Sequence, residues 1–426
     1  MKFKIQNPKS KIAIVGAGPA GASLAIRLAR ENFDVCLIER ERFPRYKLCG
    51  EFISPECLRH FRELGVVEKM LSLGGDRITQ TIFYEPNGKS VAVPSKWFGG
   101  DAQGALSLSR AEMDFRLLER AKQVGVEVLE ESSVVGVLLE KGEIRGMKIK
   151  SKDNQMREIF ADLTIDATGR ANVLAKLVER EISRSEDANA QSERKLNPEN
   201  QKLHAENKSQ IANRKSQIQN RLIGFKTYFK NVELEKGRCE IYFFRGGYGG
   251  LSFVENNRAN HCFLIRADVV KEFAGDADKI VERVIFQNRR ARETMENATP
   301  MFDWLAVSVD GFGLKNLNPA KNLFAVGDAA AFIDPFTGSG MLMAFESAEI
   351  LAGTIAENSL APEKIAGIYK ILHRRRFQRR LRVCSLLRRA AFVPGFANFA
   401  VSALSLSRAA RSVLARATRS KISDAA

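Results

Sequence analysis

The 426-residue sequence is short of the side chains that build metal and nucleophile centres. It has six cysteines and none in C-x-x-C spacing, which argues against a cysteine-ligated zinc or iron–sulfur site. Cys36 and Cys262 lie in apolar runs and read as buried thiols. The four histidines, His60, His204, His261 and His373, fall in no recognised motif and are assigned structural roles, so no metal is expected. Met1–Ser10 is polar and runs straight into an apolar strand, so no signal peptide is read and a reducing, cytoplasmic location is expected. Acidic residues are also short, 50 against 67 Lys and Arg, a net charge of +17. The imbalance is local. Residues 361–426 hold 15 Lys and Arg against Glu363 and Asp424 alone, which places +13 in the tail and +4 on the body. No aromatic–basic platform accompanies that charge, so no nucleic-acid partner is expected.

What is present is organised around Lys11–Glu39, KIAIVGAGPAGASLAIRLARENFDVCLIE. Lys11–Val15 reads as a buried parallel strand. Gly16, Gly18 and Gly21 follow in G-x-G-x-x-G spacing, then a helical face to Arg30, then a second apolar strand closed by Glu39. Each glycine has a job: a tight turn at Gly16, room for a pyrophosphate at Gly18, close helix–strand packing at Gly21. The helix N-terminus offers free N–H groups to the phosphates. Glu39 stands in reach of a ribose diol and favours a free 2′-OH, as in NAD or the adenosine of FAD.

Further along, Arg42–Pro55 reads as an ordered loop and Ile78–Val93 as a hairpin turning at Pro86-Asn87-Gly88. Ser109–Gln123 reads as a helix with Ser109 as N-cap and Glu112 as its capping-box partner. Asp162–Ile165 runs as a strand into Asp166-Ala167-Thr168-Gly169. Residues 183–221 are polar and carry the tandem heptapeptides KSQIANR at 208–214 and KSQIQNR at 215–221; the segment reads as a disordered insert. From Leu222 alternating apolar segments predict an antiparallel sheet, and Val269–Thr294 returns to helical spacing. Leu323–Val326 is a buried strand leading to Gly327-Asp328-Ala329-Ala330, the loop DPFTGSG at 334–340 and a long helix.

The G-x-G-x-x-G with Glu39, the D-A-T-G at 166–169 and the G-D-A-A at 327–330 together resemble the FAD-dependent oxidoreductases that include aromatic hydroxylases, flavin-dependent halogenases and geranylgeranyl reductases. The resemblance covers residues 1–360 apart from 183–221. PRYKLCGEFISP at 44–55 and GDAAAFIDPFTGSGMLMAFESA at 327–348 are most similar to the geranylgeranyl reductase group. The His that usually follows G-D-A-A in hydroxylases is replaced by Ala331, and the halogenase W-x-W-x-I-P is missing, since Trp97 and Trp304 stand far apart.

The resemblance implies an α/β fold: a glutathione-reductase-like, FAD-binding Rossmann domain with an antiparallel β-sheet substrate domain and a helical C-terminal tail. The domain reading is 1–78 with 105–182 and 319–360 for FAD, 79–104 with 222–318 for substrate, the 183–221 insert, and a basic helical region at 361–426. The resemblance also implies site roles. Gly16, Gly18, Pro19, Ala20, Gly21, Glu39 and Arg40 hold the ADP half of FAD. Arg110 reaches the phosphate and ribityl region, and Asp328 bonds the ribityl chain, with a plain turn aspartate as its alternative. Asp166, Gly169 and Gly327 are counted among the cofactor loops. Pro335, Gly338 and Gly340 pass beneath the isoalloxazine, where the helix N-terminus favours the reduced anion. Cys49, Gly50 and Tyr248 are the candidates near the flavin, with a packing role as the alternative for Cys49 and for Tyr248. Arg45 and Lys47 have two readings, accepting an NADPH phosphate or being solvated, and the solvated one is preferred.

The implied activity is reduction of C=C bonds of a hydrophobic, prenyl-, lipid- or quinone-like substrate, with hydride passed through FAD. The alternative is hydroxylation of an aromatic or polyketide-like substrate through a flavin hydroperoxide; a third reading is a flavin-binding protein without turnover. No second G-x-G-x-x-G is present, so NAD(P)H visits as a transient reductant or an external electron donor serves. For the tail there are two readings: residues 374–426 lie on an anionic membrane surface as a peripheral contact, or they form helices packed on the body with arginines in water.

Overall fold

A computed structural model describes residues 12–99, 104–196, 221–358, 360–393 and 395–419. Ile12–Val15 is buried at all four positions because it is the middle strand of a five-stranded parallel sheet. The order is Leu323–Ala325, Leu163–Asp166, Ile12–Val15, Val35–Ile38, Glu127–Leu129. Alternation along the strands feeds two cores. Ile12, Ile14, Leu37 and Ile165 face the helices Pro19–Arg30, Arg110–Gln123 and Gly340–Glu357. Ala13, Val15, Cys36 and Ile38 face a three-stranded antiparallel sheet within 132–160 and the helix Val173–Leu196.

The glycine turn is where sheet and first helix touch. A Cβ at Gly21 would lie 1.9 Å from the Gly16 carbonyl oxygen. Gly21→Ala therefore has to push the helix off the sheet. We expect a loss of about 1–3 kcal/mol, read by urea unfolding of the apo-protein; unchanged stability would show that the helix floats more freely than this packing implies.

The second large sheet joins distant segments. Its order is Thr299–Pro300, Leu222–Lys230, Ala259–Arg266, Gly247–Phe253, Arg238–Phe244, Gln80–Tyr84, Ser90–Pro94, with Leu305–Val309 also on Leu222–Lys230. The expected hairpin is present, with Thr81 opposite Val93 and Tyr84 opposite Ser90. The sheet departs from the expected antiparallel pattern at one seam. Arg238–Phe244 runs parallel to Gln80–Tyr84, because no tight turn joins two segments so far apart in sequence. Phe225, Phe229, Tyr242, Phe244, Leu251, Phe263 and Ile265 point to one face. They pack on three short helices, Ala267–Glu272, Ala277–Arg283 and Arg289–Met295, where one helical stretch was expected. The interruption falls at Ala274-Gly275-Asp276: Ala274 and Gly275 are left-handed and Asp276 caps the next helix through Lys279 N.

Two expectations change. Residues 183–196 continue the Val173 helix, so the insert does not begin at 183. Ala188, Ala190, Glu186, Glu193, Arg184, Arg194, Lys195 and Leu196 there supply helix formers among the polar residues. The heptapeptides at 208–221 lie outside the described residues except Arg221. The capping box at Ser109 is half formed: Ser109 Oγ accepts Glu112 N at 3.2 Å, but Ser109 N donates to Glu255 Oε2 at 3.0 Å, and Glu112 turns to Arg116. The tail is helical, as Pro362–Ala391, Phe396–Leu406 and Arg408–Ala417.

Candidate functional site

The site forms at the carboxyl end of the parallel sheet, around its glycine turn. Gly16 has φ +101°, and a Cβ there would meet Ala167 O at 2.5 Å, so the turn admits only glycine. Gly18 caps the helix with Pro19 as its first residue. A Cβ on Gly18 would meet only Arg110 Nη2, at 3.7 Å. Backbone N–H groups, an accessible Cα and a guanidinium thus converge, which fits a pyrophosphate. Gly327, at φ +63°, abuts Ala20: a Cβ would lie 2.7 Å from the alanine methyl. The first and last cofactor motifs therefore meet.

Glu39 is buried, and its carboxylate reaches back to the turn. Oε2 accepts Ala17 N at 2.9 Å and Arg45 Nη2 at 3.4 Å, while Oε1 accepts Glu41 N at 3.1 Å. Arg45 is only 9% exposed and also donates to Asp114 Oδ2 at 2.9 Å, so the solvated reading of Arg45 is corrected. Asp114 takes Arg110 as well, at 2.8 and 2.7 Å. Burial pulls the Arg110 pKa down, and Asp114 more than reverses this, so the arginine stays charged beside Gly18. Arg40 is exposed and pairs with Glu41 at 3.1 Å.

Asp328 follows its strand in a short 3-10 turn. Burial raises its carboxyl pKa, and Arg170, Arg110 and Lys315 pull it back down. Among the described residues none donates a hydrogen bond to it. Such a carboxylate, ringed by cations and without a protein donor, fits a ligand hydroxyl. Asp166 differs. Its oxygens take Thr168 N and Oγ1, Leu174 N and Ala175 N, at 2.6 to 3.4 Å. The carboxylate holds its own loop and the start of the Val173 helix. Gly169, at φ +70°, has nothing within 4 Å of a Cβ.

The 334–340 loop lies against the second sheet. Phe336 packs on Tyr248, Phe243 and Phe83 with centroids 5.1 to 5.8 Å apart. Gly338 is left-handed, and a Cβ would meet the Phe52 ring at 2.9 Å. Pro335 opens the 3-10 turn before it, and Gly340 opens the long helix. Tyr248 is buried and donates to Asp334 Oδ1 at 2.8 Å; Asp334 also accepts Phe336 N at 2.8 Å. The hydroxyl thus holds the loop rather than facing a substrate.

Gly50 is exposed and Cys49 half-buried, and the next residue, Glu51, anchors them. Glu51 was not anticipated. It is left-handed, 1% exposed, and accepts Arg110 N at 2.9 Å and Tyr228 OH at 2.8 and 3.0 Å. Lys226, also 1% exposed, donates to Glu51, to Tyr228 OH at 3.0 Å and to Lys47 O at 3.1 Å. A lysine inside the apolar strand LIGFKTYFK was the legible signal. Lys226 belongs to a cross-strand row, Lys226–Cys262–Gly250–Ile241–Phe83, on the face toward the loop. Gly224 in the adjoining row leaves room for Leu48, which a Cβ would meet at 2.9 Å. The face is charged at one end, small in the middle and aromatic at the other.

Among the described residues His60, His261 and His373 are buried; His204 lies outside them. His60 stacks on Phe345, and burial first, then Arg59, drives its pKa down to about 3. Its neighbours Glu63 and Glu349 bring ligand atoms within 4.8 Å, but Arg59 pairs with both carboxylates.

A family model described as FAD binding domain matches residues 9–370. The digeranylgeranylglycerophospholipid reductase 2 of Methanopyrus kandleri is 26% identical over 359 residues, 82% of this chain and 77% of that protein. The squalene monooxygenase SE1 of Panax ginseng is 28% identical over 159 residues, 37% of this chain and 29% of that one. A geranylgeranyl bacteriochlorophyll reductase-like structure from Thermoplasma acidophilum superposes with a TM-score of 0.72 at 17% identity, over 96% of each chain. A flavin-dependent brominase superposes at 0.73 and 16% identity, over 97% of this chain and 94% of that one. At those identities the structures show the fold alone. With the glycine turn, Arg110 and Asp328 converging as they do, the chain belongs to the FAD-binding-domain family and is an FAD-dependent oxidoreductase.

Proposed function

We propose that the enzyme reduces C=C bonds of an elongated hydrophobic substrate, prenyl- or lipid-like. The observation that carries this is the sheet face beside the 334–340 loop. Cys262, Ile241 and Phe83 line it, Leu48 seats over Gly224 and Ile241 over Gly250, and Phe243 and Tyr248 make the adjoining row apolar. The likeness to a reductase of a geranylgeranyl lipid supports the same reading. Residues 79–104 and 222–318 form the substrate unit in this reading, and 1–78, 105–182 and 319–360 the FAD unit.

Gly16, Gly18, Pro19, Ala20 and Gly21 hold the ADP phosphates, with Glu39 and Arg40 toward the ribose and adenine. Arg110 neutralises phosphate, Asp328 accepts a ribityl hydroxyl, and Gly327, Pro335, Gly338 and Gly340 give the flavin ring a close backbone. Bound FAD supplies hydride transfer. Apolar side chains on that face exclude water, and Glu51 with Lys226 and Tyr228 holds the Cys49-Gly50 turn beside it. NAD(P)H serves as a transient reductant.

The test is anaerobic. NADPH or NADH is expected to bleach the flavin, and a polyprenyl lipid without oxygen is expected to restore the oxidised spectrum, with product carrying two added hydrogens. Reoxidation only on admission of air, with one oxygen atom in the product, would establish the monooxygenase reading instead.

We also propose a peripheral contact with anionic membrane. Among the described residues no helix is long and apolar enough to cross a bilayer. On the Pro362–Ala391 helix, Arg376 and Arg380 turn inward to Glu346, at 3.1 and 2.8 Å, and Arg388 lies 3.5 Å from Asp334. Arg375, Arg379, Arg382 and Arg389 stay exposed, near exposed Leu386 and Val393. Changing those four to Gln is expected to abolish salt-sensitive cosedimentation with phosphatidylserine vesicles; equal pelleting of variant and wild type would remove the membrane contact.

A further inference from the structure

The matched family domain ends at residue 370, yet the chain beyond it returns to the 334–340 loop. Cys384 Sγ lies 3.6 Å from Thr337 Oγ1. Arg388 lies 3.5 Å from Asp334. Arg419 comes closest in function. Its side chain is 3% exposed, although it stands at the far end of the basic tail. Nη2 donates to Thr337 O at 2.8 Å and Nη1 to Ser339 Oγ at 3.1 Å. Ser339 Oγ also donates to Thr418 O at 3.3 Å. The guanidinium covers the Phe98 ring at 4.3 Å. Its one carboxylate partner among the described residues is Glu56, at 3.8 Å.

Two features separate Arg419 from an ordinary surface arginine. It bonds the residues immediately before Gly340, where the long helix begins. Its charge is also removed from water and only loosely paired, so its field is little screened. A positive charge fixed there adds to the N-terminal end of the helix dipole.

We propose that Arg419 is a positioning residue for the flavin: it fixes the Thr337–Ser339 segment and biases the bound cofactor toward its reduced, more negative form. The tail is then part of the redox site, and Glu56 moderates its charge. This rests on the reading of residues 335–340 as the flavin loop.

The test uses full-length, FAD-loaded protein and measures the two-electron midpoint potential and the FAD dissociation constant. Arg419→Met is expected to shift the reduced-to-oxidised ratio about tenfold toward oxidised flavin, a potential about 30 mV lower. Arg419→Lys keeps the charge and is expected to recover most of that shift. Glu56→Gln leaves the cation less compensated and is expected to move the potential upward. If Arg419→Met does not fold, the Glu56→Gln shift decides alone. Potentials within twofold of wild type in that ratio, for Glu56→Gln and any folded Arg419→Met, would overturn the proposal even if melting temperatures fell. Gly340→Val separates this from the loop reading, because a Cβ there meets only Ile333 Cγ2, at 3.9 Å. If Gly340→Val leaves FAD affinity and potential unchanged, the loop reading fails. If it disturbs them and the charge variants do not, the Arg419 inference alone fails.

Discussion

Gly18→Val is expected to weaken FAD binding by about 100-fold or more, about 2.7 kcal/mol, while the apo-protein stays folded. The two effects separate because of where Gly18 sits. Its backbone, φ −71° and ψ −175°, is extended and suits a β-branched residue. Only Arg110 Nη2, at 3.7 Å, approaches the position of a Cβ. The protein itself has room for the side chain; a pyrophosphate drawn against that backbone does not. Valine is a poorer N-cap than glycine, so a loss of roughly 1 kcal/mol or less is expected in the apo-protein. Circular dichroism melting of apo-protein and fluorescence titration with FAD read the two quantities independently. Unchanged FAD affinity in a folded variant would place the phosphates elsewhere. The neighbouring glycines do not allow this separation, because Gly16 and Gly21 are pressed against protein backbone.

Lys226→Met is expected to destabilise the fold by about 3–5 kcal/mol, because it leaves Glu51 buried without its cation. The pH dependence distinguishes this from simple loss of packing. Burial raises the Glu51 pKa above its ordinary 4.5, and Lys226 opposes that shift. Without the lysine the folded-state value moves further up. Between 4.5 and that raised value the folded protein binds more protons than the unfolded chain, so stability falls as pH rises. The gap between variant and wild type is therefore expected to be smallest near pH 4.5 and to widen toward neutrality. Glu51→Met with Lys226→Met removes both charges and is expected to recover much of the loss. Urea unfolding from pH 4.5 to 8 reads all three proteins. A gap independent of pH would mean that the lysine acts through its methylenes rather than its charge.

The glycine turn and its surroundings were legible because their residues act through the backbone. Gly16, Gly18, Gly21 and Gly327 are needed for φ, close approach or tight packing. Those demands leave a fixed spacing next to an apolar strand. Arg110 was legible for a related reason, standing first in its helix after an N-capping serine. Asp166 shows what local pattern leaves open, since an acid beside a cofactor loop can as well be holding that loop, and here four N–H and O–H groups of its own loop and the next helix occupy it. Arg45 did mislead. A basic residue in a polar loop reads as solvated until Glu39 and Asp114 are seen on either side of it.

Glu51, Lys226, Tyr228 and Arg419 lay beyond local pattern. Glu51 and Lys226 are 175 residues apart, and Arg419 meets Ser339 across 80 residues. Periodicity reports which face of an element is buried, and charge counting reports a basic tail, but neither reports which arginine of that tail turns inward. Local sequence was enough for the strand–turn–helix unit, the glycine loops that follow buried strands and the alternation of the second sheet, because backbone sterics and burial act over a few residues. The pairing of buried charges, the parallel seam and the return of the tail to the 334–340 loop came from packing. Such contacts form only where the whole chain excludes water, so their energies depend on partners that no neighbouring residue specifies.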